Sequence, residues 1–211
     1  VAMQALATGF NDNPEAASRP FDKDRNGFVF SEGCGVIIIE SLAHALKRGA
    51  HIYAEILGHA SSSDAYHIAA LDPEAAGAVR SMRWALEDAH VNPEDIDYIN
   101  AHGTSTQAND AMETLAIKRI FGEQAYNIPV SSTKSMLGHS LGGSGAIEII
   151  ACCKSLTEKV LHPTINYQTP DPDCDLDYVP NVARDVPDIK YLMSNSFGLG
   201  GQNATIVLGT I

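Results

Sequence analysis

The stretch from Val130 to Ile150 constrains this chain more than any other. It leaves an apolar strand end (Ile128, Pro129, Val130), passes a small polar turn holding Lys134 and His139, and runs into a segment with almost no polar side. A helix that is apolar or tiny all round is normally buried. The pattern therefore predicts a helix crossing the middle of the domain, its first turn aimed at a cavity with Lys134 and His139 at the wall. Gly138, Gly142, Gly143 and Gly145, with Ser144 and Ala146, interrupt it. Each glycine costs a helix roughly 0.5–1 kcal/mol, so close backbone approach to a neighbour or ligand is the expected compensation.

The 211 residues suit one large domain or two small ones and suffice for a real core. A hydrophobic content of 45% against 19% charged residues indicates a globular chain. The net charge of −12, with no basic cluster beyond Lys47 and Arg48, argues against nucleic acid as a partner. No apolar run approaches the roughly 20 residues that span a bilayer, so no membrane partner is expected. Val1 is not an initiator methionine and no charged-then-apolar signal pattern follows it, so the chain reads as starting within a longer protein. Cys34, Cys152, Cys153 and Cys174 show no metal or redox spacing. Burial or neighbouring aspartates would raise their thiol pKa values, so none reads as an activated nucleophile. Free thiols in a reducing compartment are expected, and the location is expected to be cytoplasmic, or an organelle matrix or stroma in a eukaryote.

In chain order, residues 1–10 are weakly helical by pattern and Asn11 to Pro14 form a turn. The aspartates at 22 and 24 have the look of a calcium loop, but Gly33 stands where a bidentate glutamate is needed, so no metal is expected. Gly35 to Glu40 reads as a buried strand, Ser41 to Arg48 as a short helix and Ile52 to Ala60 as an alternating strand. Pro73 to His90 is an amphipathic helix, Ile96 to Ala101 a strand, Asp110 to Phe121 a helix and Ile128 to Ser132 a strand. After the buried helix comes an extended loop to Asp177, then a hairpin from Tyr191 to Leu208. Strands alternating with helices and ending in antiparallel strands indicate an α/β layered sheet. Turns at 102–106, 134–140 and 198–203 each follow a strand, and ligands of such sheets bind beyond the strands' carboxyl ends. The three turns should converge on one site.

Three motifs in this order carry a resemblance: Asn100 to Thr106, Ser131 to His139 and Asn195 to Asn203. Together with Ala16 to Asp22, Ser63 to His67 and Cys174 to Pro180, they resemble the carboxyl-terminal half of β-ketoacyl-acyl-carrier-protein synthases, above all the elongating type II enzyme. The resemblance implies a thiolase-like layered α/β fold. Residues 1–60 would be the tail of the first thiolase-like half and residues 61–211 the complete second half. It implies an acyltransferase that joins an acyl group to two carbons of malonyl-acyl-carrier protein with loss of carbon dioxide, in fatty-acid elongation. No cofactor is implied, since the substrates ride on the carrier's phosphopantetheine. The implied partners are acyl carrier protein, the N-terminal half, and a second copy in a homodimer of the intact protein. The nucleophilic cysteine of the family lies upstream of Val1, and Cys34, which precedes a strand, does not match it. The chain alone would be inactive.

By the same resemblance His102 and His139 bind the malonyl thioester oxygen, and desolvated neutral imidazoles suit that donor role. Lys134 tunes the field and pairs with Glu148, a carboxylate otherwise costly among Ile147, Ile149 and Ile150. Thr104 and Thr106 would hold the pantetheine arm, their alternative being ordinary turn hydrogen bonds. Asp110 and Glu113 read as dipole partners at a helix start, and Asp64 and His67 as part of a loop at the entrance. Phe197 and Leu199 line the substrate site in the last turn. Leu199 departs from the pattern, because elongating synthases usually carry a phenylalanine gate there; the oxyanion-forming backbone N–H is kept and chain-length control is put in doubt. Two other readings stand beside this one: a polyketide-type ketosynthase, and a non-catalytic ketosynthase partner subunit. Retained buried polar groups weigh against the second.

Overall fold

A computed structural model describes residues 5–68 and 70–211. Its frame is a five-stranded mixed sheet. In chain order the elements of this frame are β1 (Glu55–Ser63), α2 (Ala76–Ala89), β2 (Tyr98–Asn100), α3 (Gln107–Phe121), β3 (Val130–Ser131), α4 (Lys134–Leu137), α5 (Ser144–Glu158), β6 (Tyr191–Gly198) and β7 (Gln202–Gly209). Outside it lie α1 (Leu42–Lys47) and the short pair β4 (Val160–Leu161) and β5 (Arg184–Asp185). The sheet order is β1-β7-β6-β2-β3, with β2 parallel to both β3 and β6 and the β6–β7 hairpin antiparallel.

Strand alternation builds the core on both faces. Ile99, Met193 and Val207 share a register row and pack under α2 and α3, while Tyr98, Leu192 and Leu208 in the next row pack against Ile149, Cys152 and Leu156 of α5. The result is an α/β layered domain in which helices cover both sides of one sheet.

The hairpin, the three strands ahead of it and the helices α2 and α3 lie where the pattern predicts, within a few residues. The strand expected from Ile52 begins at Glu55 and runs to Ser63, pairing along its length with β7, so the expected division at residue 60 falls inside a strand of the common sheet.

Other expectations fail. Residues 1–4 of the expected first helix lie outside the described residues, and the rest is extended, with Leu6 bridging Phe28. Gly35 to Glu40 forms no strand; Val36, Ile38 and Ile39 are 78%, 76% and 72% exposed. Backbone groups need a ladder partner to make a strand, and none faces this segment among the described residues. The predicted buried helix is two pieces. Gly138 (φ +71) ends α4, whose four residues carry Lys134, and α5 begins six residues later at Ser144. α5 buries only one face, with Glu148, Ile149, Cys152, Ser155 and Leu156 inward and Ile150 outward. A Cβ at Gly142 or Gly145 would meet open space, so the close approach expected of these glycines is absent, whereas one at Gly143 would lie 2.7 Å from the Gly33 carbonyl oxygen. The aspartates of the calcium-like loop are spent on the chain itself: the Asp22 carboxylate accepts from Gln168 N (2.6 Å) and Thr169 N (2.7 Å).

Candidate active site

The ends of β2, β3 and β6 deliver three turns to one cavity of about 1390 Å³, lined among others by His102, Thr104, Thr106, His139, Phe197 and Leu199. The two imidazole centroids are 5.4 Å apart with planes nearly perpendicular. Phe197 stands edge-on to His102 at 5.8 Å and Phe28 edge-on to His139 at 5.3 Å, so apolar rings flank the pair.

Each histidine sits beside a glycine that a bend requires. Gly103 has φ +41, and a Cβ there would lie 2.6 Å from Ser132 Cβ; Gly138 has φ +71, and a Cβ there would lie 2.9 Å from the Val29 carbonyl oxygen. Beyond that the supports differ. His102 is fixed through its backbone: its N–H and that of Gly103 donate to the two oxygens of Glu113, at 2.9 and 2.8 Å. His139 is fixed partly through its ring, whose Nδ1 lies 3.2 Å from the donating N–H of Leu141. Its backbone N–H also donates to Val29 O at 2.7 Å.

The electrostatics keep both rings neutral. Burial, then the Lys134 charge, then the neighbouring imidazole push the His102 pKa well below its ordinary value. Burial and Lys134 bring His139 down to about 4. A neutral imidazole offers one N–H and one lone pair. On His139 the backbone N–H of Leu141 can only donate, so the lone pair sits on Nδ1 and the proton on Nε2.

Lys134 does not line the cavity, contrary to expectation. It is buried behind the imidazoles and ion-paired with Glu148, whose carboxyl burial pushes up in pKa and Lys134 pulls down. Lys134 begins α4 and its side chain is buried there, four residues before the break at Gly138 that leaves His139 at the cavity wall. Thr104 and Thr106 line the cavity but also share a hydrogen bond (2.9 Å), and the Thr106 hydroxyl accepts from Asn109 N at 3.3 Å to cap α3. Leu199, 58% exposed, tips the β6–β7 turn. Asp64 ties that turn down: its N–H donates to Gly201 O (2.7 Å) and its carboxylate accepts from Asn203 Nδ2 (2.7 Å). His67 also faces the cavity.

Glu113 and Asp110 are more than dipole partners. Both are fully buried; Asp110 accepts from Phe21 N at 2.8 Å and faces Arg25 at 3.5 Å, and burial lifts the Glu113 carboxyl to about 7 despite two N–H donors. The available signal was an acidic side chain on the inward stripe of a helix. Among the described residues no cluster of His, Cys, Asp or Glu is arranged to hold a metal ion, and no helix is long and apolar enough to cross a membrane. All four cysteines are free, and burial raises the pKa of Cys152, of Cys153, and of Cys174, which reaches about 12.

Comparison with known proteins accounts for the motifs. Residues 53–168 match the family model for the beta-ketoacyl synthase C-terminal domain and residues 1–45 that for the N-terminal domain. The chain is 57% identical over 196 residues to the 3-oxoacyl-[acyl-carrier-protein] synthase 2 of Synechocystis sp., covering 93% of this chain and 47% of the relative. To the protein of the same name from Coxiella burnetii it is 53% identical over 210 residues, covering 100% and 50%. It superposes with a TM-score of 0.97 at 47% identity on a chain of the AntDE:AntF complex, a type II PKS acyl-carrier protein in complex with its ketosynthase, covering all of this chain and 51% of that one. The chain thus spans about half the length of the curated relatives it matches. With the sheet, the paired histidines and both domain matches in agreement, the chain belongs to the β-ketoacyl synthase family.

Proposed function

We propose that the protein carrying this chain catalyses the decarboxylating Claisen condensation of an acyl group with malonyl-acyl-carrier protein in fatty-acid elongation. The observation that carries the proposal is two neutral imidazoles side by side in one cavity with a lysine–glutamate pair behind them. A cysteine thiolate outside these residues takes the acyl group and the carrier thiol leaves. The bond from the malonyl carboxylate to the α-carbon then breaks, carbon dioxide departs, and its electron pair passes into a thioester enolate. His102 and His139 donate to the enolate oxygen. The enolate carbon attacks the acyl-enzyme carbonyl, and the tetrahedral oxyanion collapses to expel the thiolate. Fixed donors aimed at charge that develops only in the transition state are the efficient arrangement for both anions.

Thr104 and Thr106 hold the pantetheine arm along one cavity wall, and Phe197 and Leu199 face the acyl group. Residues 1–45, which match the N-terminal domain model, continue a first half whose remaining sequence covers the exposed Val36, Ile38 and Ile39. Acyl carrier protein is the substrate carrier and the intact protein a cytoplasmic homodimer. The names of the relatives favour fatty-acid elongation over a polyketide substrate, although the similarity to the AntDE:AntF chain keeps the polyketide reading as the second choice.

The test is decarboxylation of malonyl-acyl-carrier protein by the full-length protein. His102→Ala and His139→Ala should each lower the rate about 10²–10³-fold, the cost of one such donor. Rates that match wild type in both variants would remove the proposal.

A further inference from the structure

Ser144, the first residue of α5, is buried, and its hydroxyl oxygen lies 2.9 Å from His139 Nδ1. Ser140 Oγ lies 3.2 Å beyond it. The Nδ1 atom therefore has two neighbours able to donate, the Leu141 N–H and the Ser144 hydroxyl, and the hydroxyl is the nearer. Leu141 reaches back only by adopting φ +50, a conformation an ordinary side chain rarely takes. Serine is a poor choice for packing at this position, and a buried hydroxyl needs a partner. Its available partners are the imidazole and Ser140.

We propose that Ser144, backed by Ser140, is a positioning residue that donates to His139 Nδ1 and strengthens the Nε2–H as a donor to the enolate. The inference rests on the condensation reading given above. When Nε2–H meets a growing negative charge, electron density in the ring rises and Nδ1 becomes a better acceptor. A hydroxyl already donating there gains strength at that moment, as hydrogen-bond chains polarise one another. Ser140 supplies a proton to the Ser144 oxygen, completing the chain Ser140 to Ser144 to His139. The interaction is stronger in the transition state than with bound substrate, so it belongs to kcat and not to KM. The other titratable and charged groups around this ring are His102 on the β2 turn and Lys134 on α4, with Glu148 of α5 behind Lys134.

The experiment uses the full-length protein with ¹⁵N-labelled histidine and malonyl-acyl-carrier protein. Ser144→Ala should lower kcat for decarboxylation about tenfold, the scale of one hydrogen bond, with KM unchanged. The His139 Nδ1 resonance should move toward that of an unbonded imidazole nitrogen, and Ser144→Thr should restore most of both. Wild-type kcat and an unmoved Nδ1 resonance in Ser144→Ala would overturn the proposal, as would a loss that threonine fails to rescue. Should the alanine variant not fold, Ser140→Ala decides: a loss of about twofold with a smaller shift of the same resonance supports the chain, since it removes the second hydrogen bond of the relay, and no change refutes it. A wild-type decarboxylation rate in His139→Ala would instead overturn the reading of the site, and the Nδ1 resonance compared between wild type and Ser144→Ala, both with His139 intact, would still report whether Ser144 makes its bond.

Discussion

His102 and His139 line the same cavity with their rings 5.4 Å apart, yet the chain holds them by different means. His102 hangs from a strand end whose two N–H groups are clamped by one buried carboxylate, Glu113. His139 sits in the broken segment between two helices, where a bent backbone and a serine hydroxyl engage the ring nitrogen itself. One side fixes where the ring is; the other also fixes where its proton is. A pair of donors needs both kinds of control, and their common element is Lys134, which lowers the pKa of each ring.

Removing that common element should have the largest effect. Lys134→Ala leaves the Glu148 carboxylate buried without its cation, and breaking a buried pair from one side costs about 3–5 kcal/mol. Urea unfolding of the full-length protein should show a loss of this size, and both imidazoles should become easier to protonate. A loss under about 1 kcal/mol would mean that Glu148 is already neutral when paired.

Glu113→Gln tests the His102 side alone. Glutamine can accept only one of the two N–H groups, and an orphaned buried donor costs about 1–3 kcal/mol. The pH dependence separates the two histidines more sharply. The Glu113 carboxyl is raised from 4.5 to about 7, so the folded state holds the extra proton between those values. Its contribution to stability is full below pH 4.5 and is lost as pH rises through about 7. His139 runs the other way: lowered from 6.5 to about 4, it contributes stability above 6.5 that is lost as pH falls toward 4. Stability measured in urea from pH 4.5 to 7 should therefore tilt upward with pH in Glu113→Gln and downward in His139→Gln, relative to wild type. One proton limits either change to about 1.4 kcal/mol per pH unit. Identical profiles in all three proteins would break the contrast.

What the sequence disclosed follows the same division. The strands and the His102 turn were legible because alternation and turn residues are local signals, and the partner strands that confirm them lie within the chain. The apolar run at Val36 to Ile39 has the same local signal and no strand, because pairing is decided by a partner that composition cannot supply. The segment from Lys134 to Ser144 misled in another way. The pattern runs its glycines through one buried helix, but Gly138 ends α4 and separates the buried Lys134 from His139 at the cavity wall. Glu113 reads from sequence as a mere dipole partner and Ser144 as a small helix residue for a simpler reason: a polar residue on a helix carries no mark of what it will touch until the helix is docked.

The smallest expected effect concerns Leu199, which lines the cavity in the last turn. Leu199 tips the β6–β7 turn, mostly exposed, and the turn's anchor is Asp64, bonded to Gly201 O and to Asn203. Under the proposed condensation, enlarging the side chain changes the cover over the acyl group and leaves that anchor in place. The hydrogen bonds that hold the imidazoles come from Glu113, Leu141 and Ser144, not from the turn's tip, so both rings should keep their positions. In the full-length protein, Leu199→Phe should accordingly shift the distribution of product chain lengths while decarboxylation of malonyl-acyl-carrier protein stays within about twofold, as expected when no transition-state contact is altered. A loss as large as that of a histidine variant would show that the turn sets the imidazole geometry too. An unchanged product distribution across acyl substrates would show that this position does not gate the chain.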